Sequence, residues 1–165
     1  MLSKTMLKAL NAQINSEMSS SYLYLGMAAY FKHINLDGFS NWMAGHSKEE
    51  WGHAMRIWNY VYEQRNRVTL ADIQTPTESW KSPTDAFGDA LKAEERTTGQ
   101  IHALVTLAQK ENDHATFAFL QWFVTEQVEE EQLFDSVLQK VKLIGDHYGA
   151  LMMLDHELGA SNHGS

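Results

Sequence analysis

A carboxylate and an imidazole stand one helical turn apart in Glu50-Trp51-Gly52-His53. Wound as an α-helix at about 100° per residue, the two fall on one face, spaced to hold a single metal ion. That face is apolar: Phe39, Met43, Ile57 and Val61 share its stripe. The same anomaly recurs three times. Glu17 lies near the centre of a stripe of Met6, Leu10, Ala28 and Phe31, with Tyr24 one heptad on. Glu94 sits among Phe87, Leu91, Ile101 and Val105, and Glu126 and Glu130 fall within Phe119, Phe123, Leu133 and Val137. Carboxylates are almost never fully buried unless paired or bound to a metal. Four or five of them in a low-dielectric interior would repel one another or take up protons, and two divalent cations would relieve the repulsion. Oxygen donors with one imidazole suit iron or manganese, with zinc able to compete. Carboxylates that bridge two metals hold them roughly 3.5–4 Å apart, a separation that dioxygen or peroxide can span.

Each piece alone has a blander meaning. A lone Glu-x-x-His is more often a solvated pair, and Glu129-Glu130-Glu131 alone would be a solvated charge run. His33, His46, His102, His114, His147, His156 and His163 read as ordinary surface or core histidines. The conjunction of four central acids with one placed imidazole decides for a metal site.

The elements that must carry these groups are helical. Ser3 caps a first helix to about residue 33. Asp37-Gly38 breaks the pattern, and a second helix runs from about 39 to 65. Periodicity then vanishes, with Pro76 in the gap, until Ser82-Pro83-Thr84-Asp85 supplies a cap, a proline at the first helical position and an acid three residues after the cap. The third helix reaches about 110. Asn112-Asp113 marks a tight turn before a fourth helix to about 143, and a short fifth helix follows from about 147 to 158, with 161–165 as a frayed tail. At 1.5 Å per residue, each hairpin brings its two acids level, about 25 Å from its turn. The connector between helices two and three, roughly 17 residues, could traverse a whole helix. The expectation is an all-α single domain over 1–165: up-down, long crossover, up-down, with a four-helix bundle over about 4–143. Heights alone leave a short antiparallel link open as well.

Composition narrows the chemistry. The chain has 165 residues, two prolines, no cysteine and a formal net charge of −8. The absence of cysteine excludes a disulfide framework, thiolate-bound zinc and rubredoxin-type iron. An acidic balance disfavours nucleic acid and anionic membrane as partners and suits cations. With neither a secretory pattern nor a membrane-length apolar run, a cytoplasmic protein is expected.

The stretches LNAQINSEMSSSYLYL around Glu17 and Tyr24, GFSNWM, KEEWGHAMR around Glu49, Glu50 and His53, and FLQWFVTEQVEEE make the chain resemble a bacterial or archaeal non-haem ferritin over nearly its whole length. The plan of paired carboxylates in a bundle is known from those proteins and is taken from them. The resemblance implies a first iron held by Glu17, Glu50 and His53, with Glu50 bridging to a second held by Glu94 and Glu130. It implies a third, inner iron at Glu49, Glu126, Glu129 and Glu130. Gln127 would support the second iron's ligands, and Tyr24 matches a tyrosine that the family can use to donate an electron. Where a second Glu-x-x-His would stand, this chain has Gln127 and Glu130, as ferritins do and haem-binding bacterioferritins do not. Trp51 also offers no thioether, so no haem is expected. The implied function is iron storage: oxidation of Fe2+ by dioxygen or peroxide, and a ferric mineral inside a homo-oligomeric shell of the 24 subunits usual in the family. The alternative is a di-iron redox enzyme without mineral storage. Glu111 and Asp113, at the turn between helices three and four, read as surface caps rather than a pore.

Overall fold

The computed structural model describes residues 1–161. The readings of His163 and of the end of the tail lie outside them. Five helices follow in order: α1 Lys4–His33, α2 Asp37–Glu63, α3 Pro83–Lys110, α4 His114–Ile144 and α5 Tyr148–Ala160. No strand occurs among the described residues, and no helix is long and apolar enough to cross a membrane. Side-chain caps set three of the starts. Ser3, Ser82 and Asp113 accept from the backbone N–H of Met6, Asp85 and Thr116 respectively.

The ends are set by backbone conformation. Asn35, Arg65 and Asn112 adopt φ of 63°, 58° and 55° just past α1, α2 and α3. After α1, Leu36 N–H reaches back to Phe31 O and Asn35 N–H to Lys32 O; the pattern repeats after α2 and α3. These are left-handed helix terminations, which glycine or asparagine favours and which arginine at 65 adopts at a cost. The first turn sits at Asn35, and Asp37-Gly38, expected to break the helical pattern, instead opens α2. Gly38 lies inside α2, and its missing side chain has another purpose: a Cβ there would stand 1.7 Å from the backbone oxygen of Asp155.

The aromatic contacts settle the topology. Phe87, at the start of α3, packs on Phe31 at the end of α1 (5.5 Å) and on Phe39 at the start of α2 (5.4 Å). The chain must therefore climb the full height of the bundle between α2 and α3. Residues 64–82 do so along α1: Thr69 N–H donates to Asn11, Pro76 closes on Gly26, and Trp80 meets Tyr30 edge-on. This is the long crossover.

The buried apolar side chains form two clusters. One gathers Tyr24, Phe31, Phe39, Trp42, Phe87 and Phe134. The other holds Met6, Leu10, Ile14, Ile57, Ile101 and Phe123. Along every helix of the bundle a buried acid falls between the two: Glu17, Glu50, Glu94 and Glu130. The core is thus divided at mid-height by a layer of carboxylates. Leu133, expected in the α4 stripe, is 40% exposed. The buried line of α4 instead runs through Phe123, Gln127, Glu130, Phe134 and Val137.

α5 folds back on the start of α2, where Leu36 offers no side-chain cap. Asp155 of α5 takes over, its carboxylate accepting from Phe39 N–H at 2.8 Å while buried. Gly38 and Gly159 allow the close crossing this requires.

Candidate metal centre

Each helix of the bundle delivers one acid to the central layer, because each carries its acid halfway between its two apolar runs. Glu17, Glu50 and Glu94 are 1% exposed and Glu130 is 5% exposed. No cationic Lys or Arg side chain lies within ion-pairing distance of them among the described residues; His53 stands beside Glu50 and His46 beside Glu130. Glu17, Glu50 and His53 present ligand atoms within 4.8 Å of one another. His53 places Nδ1 3.5 Å from Glu50 and Nε2 3.7 Å from Glu126. Two further groups share Glu130: His53 with Glu126, and His46 with Glu49.

The neutral neighbours hold some carboxylates and leave others free. The Tyr24 hydroxyl donates to one oxygen of Glu94, and the Gln127 amide donates to the other at 3.1 Å. The Gln13 amide donates to Glu17 Oε1 at 2.7 Å. By contrast Glu17 Oε2, Glu50 Oε1, His53 Nδ1 and Glu130 Oε2 are buried with no hydrogen-bond partner among the described residues. Buried polar atoms left so cost about 1–3 kcal/mol each, more when charged. Four such atoms converging from α1, α2 and α4 fit a set of ligands that a cation completes.

Electrostatics agrees with that fit. Burial pushes the Glu17 carboxyl well above the usual carboxylate range, and the neighbouring Glu50 raises it further. Glu50 is raised well above that range by burial and then by Glu94. Burial also raises Glu94, against the lowering effect of its bonds from Tyr24 and Gln127. Glu130 is pushed up to about 9 by burial and by the charges of Glu94, Glu49, Glu126 and Glu129. Tyr24 is raised well above its usual value by burial and by Glu94, so it keeps its proton and donates it. Carboxyls shifted in this direction favour the protonated form, and a divalent cation bound among them would displace those protons.

The structure thus brings together Glu17, Glu50, His53, Glu94, Glu130, Tyr24 and Gln127, with Glu49 and Glu126 half-buried beside them. Glu129 is exposed on α4 and belongs to none of the three groups. His46, read from sequence as ordinary, is fully buried, with Nδ1 3.1 Å from Glu49 and 3.6 Å from Glu130. It stands seven residues before His53, hence on the same face of α2, and that spacing was the available signal. Gln13 was also missed. It is a polar residue four before Glu17 on the apolar face of α1.

Comparison with known proteins places the chain in a family. The model of the ferritin-like domain matches residues 7–144. A bacterial non-heme ferritin of Campylobacter jejuni is 39% identical over 155 residues, 94% of this chain and 93% of that one. Another from Staphylococcus aureus is 36% identical over 160 residues, covering 97% and 96%. Among solved structures, a ferritin of the archaeon Archaeoglobus fulgidus, described as open-pore, superposes with a TM-score of 0.97 at 46% identity, covering 98% and 99%. With the domain matched along the bundle and relatives of this similarity spanning nearly the whole chain, the protein belongs to the ferritin family.

Proposed function

We propose that this ferritin stores iron. It takes up Fe2+, oxidises it at a paired site inside each subunit, and holds the Fe3+ as a mineral within a cytoplasmic homo-oligomeric shell of 24 subunits. The observation that carries the reading is the carboxylate layer: four acids and His53, one acid from each bundle helix, buried between two apolar cores with unsatisfied ligand atoms facing inward. Burying that much charge is costly unless cations are the purpose.

In this reading Glu17, Glu50 and His53 receive the first Fe2+, and Glu50, Glu94 and Glu130 the second, with Glu50 between them. Tyr24 and Gln127 fix both oxygens of Glu94, which aims it without a cost in side-chain freedom at the moment of binding. Each Fe2+ gives one electron; dioxygen takes the two electrons and two protons and leaves as hydrogen peroxide. Protons displaced from the raised carboxyls by the incoming cations are available to it. Peroxide, as oxidant, would take two electrons and two protons and leave as water. The Fe3+ then passes inward by way of Glu49 and Glu126, which share Glu130 with the centre. Glu129 adds charge at that exit, from the exposed side of α4.

The test is aerobic addition of excess Fe2+ to purified apoprotein, followed by size-exclusion with iron detection. Ferric iron co-eluting with a particle many subunits in size, far above two irons per chain, is the expected result. Iron held at about two per chain on a small species would make the protein a di-iron redox enzyme instead.

A further inference from the structure

Between α1 and α3 the surface opens into a groove of about 290 Å3, walled by Ala9, Ala12, Ala103, Leu104 and Leu107. Gln13 also lines it, although that residue is only 3% exposed. Its side-chain amide donates to Glu17 Oε1 at 2.7 Å. A single glutamine therefore both lines the groove and bonds a carboxylate of the central layer. Beside it, Ser16 of α1 donates to Gln100 of α3 at 2.7 Å and holds the two helices in register.

We infer that this groove is the entry by which dioxygen reaches the carboxylate layer, with Gln13 at its inner end; the inference rests on the iron-oxidation reading above. The lining selects between the two substrates. Fe2+ sheds its hydration shell only to a set of oxygen or nitrogen donors, and five of the seven lining residues are alanine or leucine, which supply none. The two amides present, Gln13 and Gln100, are neutral, and no charged side chain lines the groove. An apolar diatomic has no shell to lose and partitions readily into an alkyl-lined space. The three alanines are what keep the groove open: on a helix surface packed against another helix, larger apolar residues would close the seam.

The test fills the groove from its rim. Ala12 and Ala103 are exposed, within helices, and leucine is nearly as good a helix former as alanine, so Ala12→Leu and Ala103→Leu leave the fold and every proposed ligand in place. In the double variant the KM for dioxygen should rise about fivefold or more, while kcat at saturating dioxygen and anaerobic Fe2+ affinity stay at wild-type values. Crystals pressurised with xenon give a readout that needs no catalysis: a xenon atom in the wild-type groove and none in the double variant. A wild-type KM for dioxygen in the double variant, or no xenon in the wild-type groove, overturns the inference while leaving iron oxidation standing. A wild-type chain that takes up xenon yet leaves Fe2+ unoxidised in air sinks the iron-oxidation reading, and the route with it.

Discussion

Replacing Glu130 by glutamine should make the metal-free protein more stable at alkaline pH, and the gain can be sized. Glu130 is pushed from an ordinary 4.5 up to about 9 in the folded chain. Between those values the folded protein holds a proton that the unfolded chain has lost, so folding takes up a proton. The sign follows from linkage: stability falls as pH rises wherever the folded state binds more protons. The full stability is present below about pH 4.5, and loss continues until pH passes the folded value near 9. One proton corresponds to about 1.4 kcal/mol per pH unit. From pH 5 to pH 8 the wild-type chain should therefore lose about 4 kcal/mol through Glu130 alone, and Glu17, Glu50 and Glu94 are shifted in the same direction. Glutamine reproduces the shape of the protonated acid, so Glu130→Gln should keep the acid-side stability and escape this loss. The assay is guanidinium unfolding in the presence of a chelator, at one protein concentration, at pH 5, 6.5 and 8. The wild-type stability should fall more steeply than the variant's by about 1.3 kcal/mol per pH unit. Parallel slopes would refute the reasoning, since Glu130 would then be ionised in the metal-free fold. The same substitution should weaken the second iron position, because the amide is a poorer ligand for a hard cation than the carboxylate.

Three other outcomes are expected. Glu50→Ala should slow the initial aerobic oxidation of Fe2+, followed by ferric absorbance, by about 100-fold or more, because it removes the group that the proposed reading puts between the two irons; a wild-type rate would rule out that placement. His53→Ala should lower affinity at the first position by more than the 10–100-fold that loss of an outer partner costs, as read by anaerobic Fe2+ titration; intact affinity in a destabilised fold would make His53 a packing residue. Asp155→Ala should cost about 1–2 kcal/mol in thermal unfolding by uncapping α2, with faster hydrogen exchange at the Phe39 amide, and protection unchanged at that amide would show that the cap contributes nothing.

The acids of the layer were legible because each breaks the apolar face of its own helix, a local signal that needs no knowledge of neighbours. The caps at Ser3, Ser82 and Asp113 were legible for the same reason, since a cap is satisfied within four residues. What escaped depends on other helices. A helical wheel orders residues around one axis but does not say where the centre of the buried sector lies. On α4 that centre falls on Gln127 and Phe134, which leaves Glu126 half-buried and Leu133 exposed. His46 acquires meaning only from Glu130, across the bundle on α4. Gly38 reads as a breaker until α5 is laid over it, and only then does Asp155 leave no room for a side chain. The crossover was expected from the length of the connector, and its proof is a contact between elements distant in sequence, Phe87 against Phe31 and Phe39.

The layer is unequal in a way that bears on the direction of iron movement. Glu94 is held at both oxygens, by Tyr24 and by Gln127, and has little freedom to follow a departing ion. Glu130 has a buried oxygen without a hydrogen-bond partner and is common to two further groups of ligand atoms, one through His46 and Glu49, the other through His53 and Glu126. A carboxylate with an oxygen free of hydrogen bonds can turn between sets at less cost than one held at both oxygens, which must break two hydrogen bonds first, at about 1 kcal/mol or more each. In the proposed reaction, then, Glu94 would keep the second position in place while Glu130 passes its ion on. Glu49 and Glu126, each only half-buried, complete the two further groups to which Glu130 would pass it. If Glu130 carries the transfer, Glu130→Gln should spare binding at the first position and stop turnover after roughly one filling of the site, and Gln127→Leu, by freeing an oxygen of Glu94, should instead loosen the second position before any transfer begins.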